Sequence, residues 1–106
     1  MKTLLSIIVL TAALFSLQVY AVEPTHTVAQ TIQAERYSTV KLRGKIISRI
    51  DDKRYLFEDE TGTLELKIDK KAQQDLVVPT PGNVFIYGKV DHYGKKTEVD
   101  VKSIIK

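Results

Sequence analysis

The chain has 106 residues, with 16 Lys and Arg against 13 Asp and Glu, for a formal charge of +3. It contains no cysteine, which excludes a disulfide-stapled core and a lipid carried on an N-terminal Cys. Acids and bases interleave from Lys41 to Lys106 without a block of one sign, and such blocks are what mark nucleic-acid-binding arms.

The first predicted element is an export signal over residues 1–21. Lys2 precedes an uncharged run from Leu4 to Leu17, and Val19-Tyr20-Ala21 has the spacing of a cleavage site. A membrane span needs about 20 mostly apolar residues, whereas this run breaks after Leu17 and lacks a basic flank. Cleavage after Ala21 leaves 85 of the 106 residues, and loss of Lys2 lowers the charge to +2. Residues 22–106 are too short to enclose two cores and read as a single domain. With no second apolar segment and no acyl anchor, the product is expected free in solution, which for a bacterial chain means the periplasm, without a membrane span after cleavage.

A short leader, 22–25, precedes a predicted two-turn helix in which Val28 and Ile32 share a face and Thr25 or Thr27 caps the first turn. From Thr39 the period becomes two. Val40, Leu42, Gly44 and Ile46 alternate with Lys41, Arg43 and Lys45, which predicts a long strand bent at Gly44. Beyond an Asp51-Asp52-Lys53 turn, Tyr55 and Phe57 point inward, with Arg54, Leu56 and Glu58 outward. Asp59-Glu60-Thr61-Gly62 is a tight turn. A third strand follows, with Leu64, Leu66 and Ile68 inward and Glu65 and Lys67 outward. Residues 69–76 lose the alternation and are rich in Lys, Ala, Gln and Leu. They predict a short helix capped by Asp69, with Pro79 beyond its end. Val84, Ile86, Gly88 and Val90 line a fourth strand whose other face carries Phe85, Tyr87 and Lys89. Asp91-His92-Tyr93-Gly94-Lys95 is read as a turn. Thr97, Val99 and Val101 alternate with Glu98, Asp100 and Lys102 in a fifth strand ending near Ile104.

Five strands with a helix between the third and fourth and a short N-terminal helix give an all-β class with small helical content. The expected architecture is a five-stranded OB-fold barrel. Closure removes the sheet edges that promote aggregation.

Four segments carry a resemblance: Val40-Lys41-Leu42-Arg43-Gly44-Lys45-Ile46, Tyr55 through Leu64, Tyr87-Gly88-Lys89-Val90-Asp91, and Thr97-Glu98-Val99-Asp100-Val101. In this order they resemble the bacterial OB-fold (BOF) family, of the YgiW/YdeI type of periplasmic stress-tolerance proteins. The resemblance covers nearly all of 22–106. It implies an exported single OB domain without enzymatic activity, associated with envelope stress tolerance and with binding of a small ligand or an envelope component. Phe85 and Tyr87 depart from the pattern, since relatives place polar residues there.

OB folds bind ligands on the outer face of strands two and three and the flanking loops. That face would carry Arg54, Leu56, Glu58, Thr63, Glu65 and Lys67, with His92 and Tyr93 in the loop before strand five. It has no aromatic platform for bases, so nucleic acid is not expected as a partner. Lys41, Arg43 and Lys45 form a basic row suited to an anionic ligand, or else a solvated face that discourages edge pairing. Phe85, Tyr87 and Lys89 form a candidate surface for a periplasmic protein partner, unless the leading helix covers the two rings. Asp51, Asp52, Asp91 and His92 could gather around a cation, but no ligand-spacing motif supports it. Neither a metal nor a cofactor is expected. A Cys nucleophile and a Gly-x-Ser-x-Gly motif are both lacking, and the chain is not read as an enzyme. A module that modulates another periplasmic or membrane protein is the alternative function.

Overall fold

A computed structural model describes residues 25–106; the predicted export signal lies outside them. The two-residue alternation is realised as β1 (Thr39–Arg49), β2 (Arg54–Asp59), β3 (Gly62–Lys67), β4 (Val84–Tyr93) and β5 (Lys96–Ile105). The inward set is buried throughout: Val40, Leu42 and Ile46; Tyr55 and Phe57; Leu64, Leu66 and Ile68; Val84, Ile86 and Val90; Val99 and Val101. These strands close into a barrel in the order β1-β2-β3-β5-β4. The β3–β5 pair is parallel and the other four are antiparallel.

Closure depends on β1 serving two neighbours. Its Thr39 to Gly44 half pairs with β4, and Lys45 to Arg49 pairs with β2. Gly44 stands at the handover, and a Cβ there would strike the Glu58 carbonyl oxygen and, at 2.7 Å, Phe57 Cζ. The predicted bend is thus a close approach that a side chain would prevent. Gly88 marks the irregularity in the β4–β5 ladder, where a Cβ would lie 2.7 Å from Val99 Cγ1.

Helix α1 (Val28–Ile32) is capped by Thr27, whose hydroxyl accepts from Gln30 N–H while the Gln30 side chain accepts from Thr27 N–H. The β2–β3 turn holds the same helix end. Asp59 Oδ2 accepts from Val28 N–H at 2.8 Å, and Thr61 Oγ1 accepts from Ala29 N–H at 3.0 Å. The buried face is Val28 with Thr31, not Val28 with Ile32, which is 42% exposed. Thr31 is buried without loss because its hydroxyl donates to the Thr27 carbonyl at 2.8 Å. The helix packs against β3, away from Phe85 and Tyr87. Just before it, His26 bridges to β1: its N–H donates to Lys41 O, and its Nδ1 accepts from Lys41 N–H.

The helix expected between β3 and β4 does not form; 69–76 is a run of turns. Its backbone bonds span three residues, Gln73 N–H to Lys70 O and Leu76 N–H to Gln73 O. Gln73 also donates from its side chain to Ile68 O and Asp52 O, binding the segment to the barrel rather than to itself. Leu76 alone of 69–76 packs as an apolar side chain against the core, too little to hold so short a helix. The turn predicted at 91–95 narrows to Gly94-Lys95, since Asp91 to Tyr93 pair with Lys96 to Glu98.

Candidate functional site

A shallow groove runs along the outside of β2, β3 and β5. One half, about 290 Å³, is lined by Ile50, Asp51, Arg54, Glu65, Tyr93, Lys96, Thr97 and Glu98. The other half, about 260 Å³, continues past Leu56, Thr63 and Ile32 and shares Glu65, Lys96 and Thr97. Lys96 Nζ lies 3.0 Å from Glu65 Oε2, so this ion pair bars the groove at its middle.

Glu98 lies on the outer side of β5, yet its side chain is only 5% exposed. Arg54 Nε donates to Glu98 Oε2 at 2.9 Å, and Arg54 Nη1 lies 3.3 Å from Asp51 Oδ2. The guanidinium reaches Glu98 diagonally over β3, since Arg54 pairs with Lys67 whereas Glu98 pairs with Glu65. The hydrogen bond to Glu98, then that to Asp51, raises the Arg54 pKa. Backbone N–H groups of Lys53 and Arg54, followed by the Arg54 side chain, lower that of Asp51. The groove therefore presents opposite charges already engaged with one another, Arg54 with Asp51 and Glu98 and Lys96 with Glu65.

Beside the groove, His92 is fully engaged within the chain. Its Nε2 lies 2.7 Å from the Ala34 carbonyl and its Nδ1 3.1 Å from Thr97 Oγ1. Since a carbonyl only accepts, Nε2 carries the proton. His92 ties the segment after α1 to the β4–β5 hairpin. Asp91 sits below its ordinary pKa through the Tyr93 hydroxyl and then Arg36; Arg36 Nε lies 2.8 Å away. Tyr93 is raised in turn by Asp91. Asp51, Asp52, Asp91 and His92 do not converge, and no group of three metal-ligating side chains lies together among the described residues.

The strand register unites two surfaces read apart in the sequence. Lys41 stands opposite Tyr87, Arg43 opposite Phe85 and Thr39 opposite Lys89 on the outer face of β1 and β4. Lys41 Nζ lies 5.2 Å from the Phe85 ring centroid and 5.3 Å from that of Tyr87. Both rings are half-buried. Lys45 continues the row beside Glu58 of β2, whereas Lys67 lies across the barrel beside Arg54. Among the sequence candidates, Arg54 and Tyr93 share the groove. Lys41, Arg43, Phe85, Tyr87 and Lys89 share the second face. Ile50, Lys96, Thr97 and Glu98 line the groove without having been singled out, because their convergence depends on the parallel β3–β5 pairing.

A family model described as bacterial OB fold (BOF) protein matches residues 18–106. The chain belongs to the BOF family. Protein YgiW of Escherichia coli K12 is 42% identical to this BOF chain over 67 residues, 63% of the chain and 52% of YgiW. The match thus spans about half the length of that curated relative. The solved structure of E. coli YgiW has a TM-score of 0.72 and 35% identity, covering 77% of this chain and 88% of that one. The calcium-regulated OB-fold protein CarO of Pseudomonas aeruginosa is 30% identical over 88 residues, 81% of this chain and 76% of CarO.

One expectation is corrected here. A murine DNA-binding protein bound with double-stranded DNA has a TM-score of 0.60 and 17% identity, covering 79% of this BOF chain and 49% of that protein. Identity that low speaks for the fold alone, but it shows that a DNA-binding protein is built on such a barrel. A β2–β3 face without aromatics therefore does not exclude nucleic acid. The sequence argument also tested a single face, while the rings and cations that join no ion pair among the described residues come together on another, across β1 and β4.

Proposed function

We propose that this BOF protein is an exported, non-enzymatic binding module of the periplasm that contributes to envelope stress tolerance. It takes a small ligand or an envelope component in the groove along β2, β3 and β5. The observation that carries this reading is the groove's position, on the OB face and between the β1–β2 and β4–β5 connections from which such barrels grip ligands. Three carboxylates, Asp51, Glu65 and Glu98, face two cations, Arg54 and Lys96. Matched charges of this kind suit a ligand carrying both signs, such as a peptide-bearing glycan fragment. Each half falls just below the roughly 300–1,000 Å³ of small-molecule sites, and the two together lie within it.

The test is amide NMR during titration with peptidoglycan fragments, then with calcium, which enters because CarO is by name calcium-regulated. Saturable shifts at Arg54, Tyr93 and Lys96, abolished by Arg54→Gln, are expected. An unchanged spectrum with every titrant would overturn the groove as the site.

A further inference from the structure

We infer that the outer face of β1 and β4 is a second binding site, distinct from the groove, for a glycan chain bearing carboxylate groups. Two independent requirements meet there. The rings of Phe85 and Tyr87 are two residues apart on β4 and point the same way, which spaces them by about 7 Å along the strand. Facing them on β1 are Lys41 and Arg43, with Lys89 at the end of the row. Among the described residues none of Lys41, Arg43, Lys45 and Lys89 joins an ion pair, whereas the groove cations Arg54 and Lys96 both do. Cations outside any such pair favour an anion, above all Lys41 and Arg43, since Lys45 stands opposite Glu58 and Lys89 opposite Asp100; a flat apolar ring favours something that can lie on it.

Lys41 decides between polyanions. Its ammonium stands over both rings at nearly equal distance, so a stacking ligand must displace it to its own edge, where an anion carried close to the stacked ring meets it. A uronate carries its carboxylate one bond from the sugar ring. In a nucleotide the ribose separates the stacking base from its phosphate. The sugar acid therefore satisfies ring and cation together. Arg43, exposed beside Phe85, offers a planar fork for a second carboxylate one unit along.

The test uses the protein purified from cells and three probes: a tetragalacturonate, a neutral cello-oligosaccharide of equal length, and a single-stranded oligothymidylate. Expected is saturable binding of the uronate, weakened at higher salt, with amide shifts at Lys41, Phe85 and Tyr87. Lys41→Met, Arg43→Gln and Phe85→Leu/Tyr87→Leu each weaken it tenfold or more, and far-ultraviolet circular dichroism verifies that each variant is folded. Arg54→Gln leaves it unchanged, which separates this site from the groove. Absence of uronate binding overturns the inference. So does loss with the charge variants but not with the leucine variants, which reduces the face to plain ion attraction. Oligothymidylate binding at least as tight as the uronate overturns it in favour of nucleic acid.

Discussion

Arg54 Nε lies 2.9 Å from Glu98 Oε2, bridging β2 and β5 over the strand between them. The Glu98 side chain is nearly buried while that of Arg54 is 42% exposed, so the two partners are not equivalent. Losing Arg54 strands a carboxylate away from water; losing Glu98 returns a guanidinium to solvent. Arg54→Ala is expected to cost about 1–3 kcal/mol in urea unfolding, the range for an unsatisfied buried group. Adding Glu98→Gln should recover a good part of that loss, because the stranded charge is then gone. A double variant no more stable than Arg54→Ala would show that Arg54 acts through packing instead.

Gly44 and Gly82 separate crowding from glycine content. Alanine at 44 drives a Cβ into the Glu58 carbonyl and the Phe57 ring, whereas at 82 nothing lies within 4 Å. Gly44→Ala is expected to lose about 3 kcal/mol or more through overpacking and a broken β1–β2 handover. Gly82→Ala should stay within about 1 kcal/mol of the parent, scored by the same urea midpoint.

Asp59 makes the molecule acid-sensitive. Partial burial pushes its carboxyl up, but hydrogen bonds from the Thr61 hydroxyl and the Val28, Thr61 and Gly62 N–H groups outweigh this and hold the pKa below the usual value. The unfolded value is about 3.9. Because the folded value is lower, the stabilisation is present above pH 3.9 and is lost as pH falls through the folded value. Asp51 and Asp91 shift in the same direction. The urea midpoint should be level above about pH 5 and fall below pH 4. Asp59→Asn should reduce the fall.

His92→Ala removes two side-chain hydrogen bonds that fasten Ala34 and Thr97. The expected cost is about 1–2 kcal/mol, with faster amide exchange around residues 34–38. Groove titrations should weaken only slightly, through the freed Thr97 hydroxyl, since both ring nitrogens face the protein. A strongly weakened groove ligand with unchanged stability would make His92 a binding residue.

The barrel was legible because each strand has one wet face, so a period of two separates Leu64 and Leu66 from Glu65 without knowledge of partners. Residues 69–76 misled because helix-forming composition says nothing of what the segment can pack against. Thr31 misled for a related reason: its hydroxyl finds a carbonyl one turn back, which composition does not show. Pairing partners were the larger loss. That Lys41 faces Phe85 and Tyr87 follows from the β1–β4 register, and the burial of Glu98 from a parallel contact closing the barrel. Both lie between segments more than 30 residues apart in the chain.

If the groove takes a ligand as proposed, the Lys96–Glu65 pair makes it a ruler. A short ligand settles in one compartment and leaves the pair intact; a longer one must lay itself across the divide and part it. The Lys96 side chain is 71% exposed, and pairs of that kind contribute only about 0.2–1 kcal/mol. The divider is thus soft. It grades ligands by length instead of rejecting the long ones, and a carboxylate or amine placed at the middle of a long ligand can take the place of the partner it displaces.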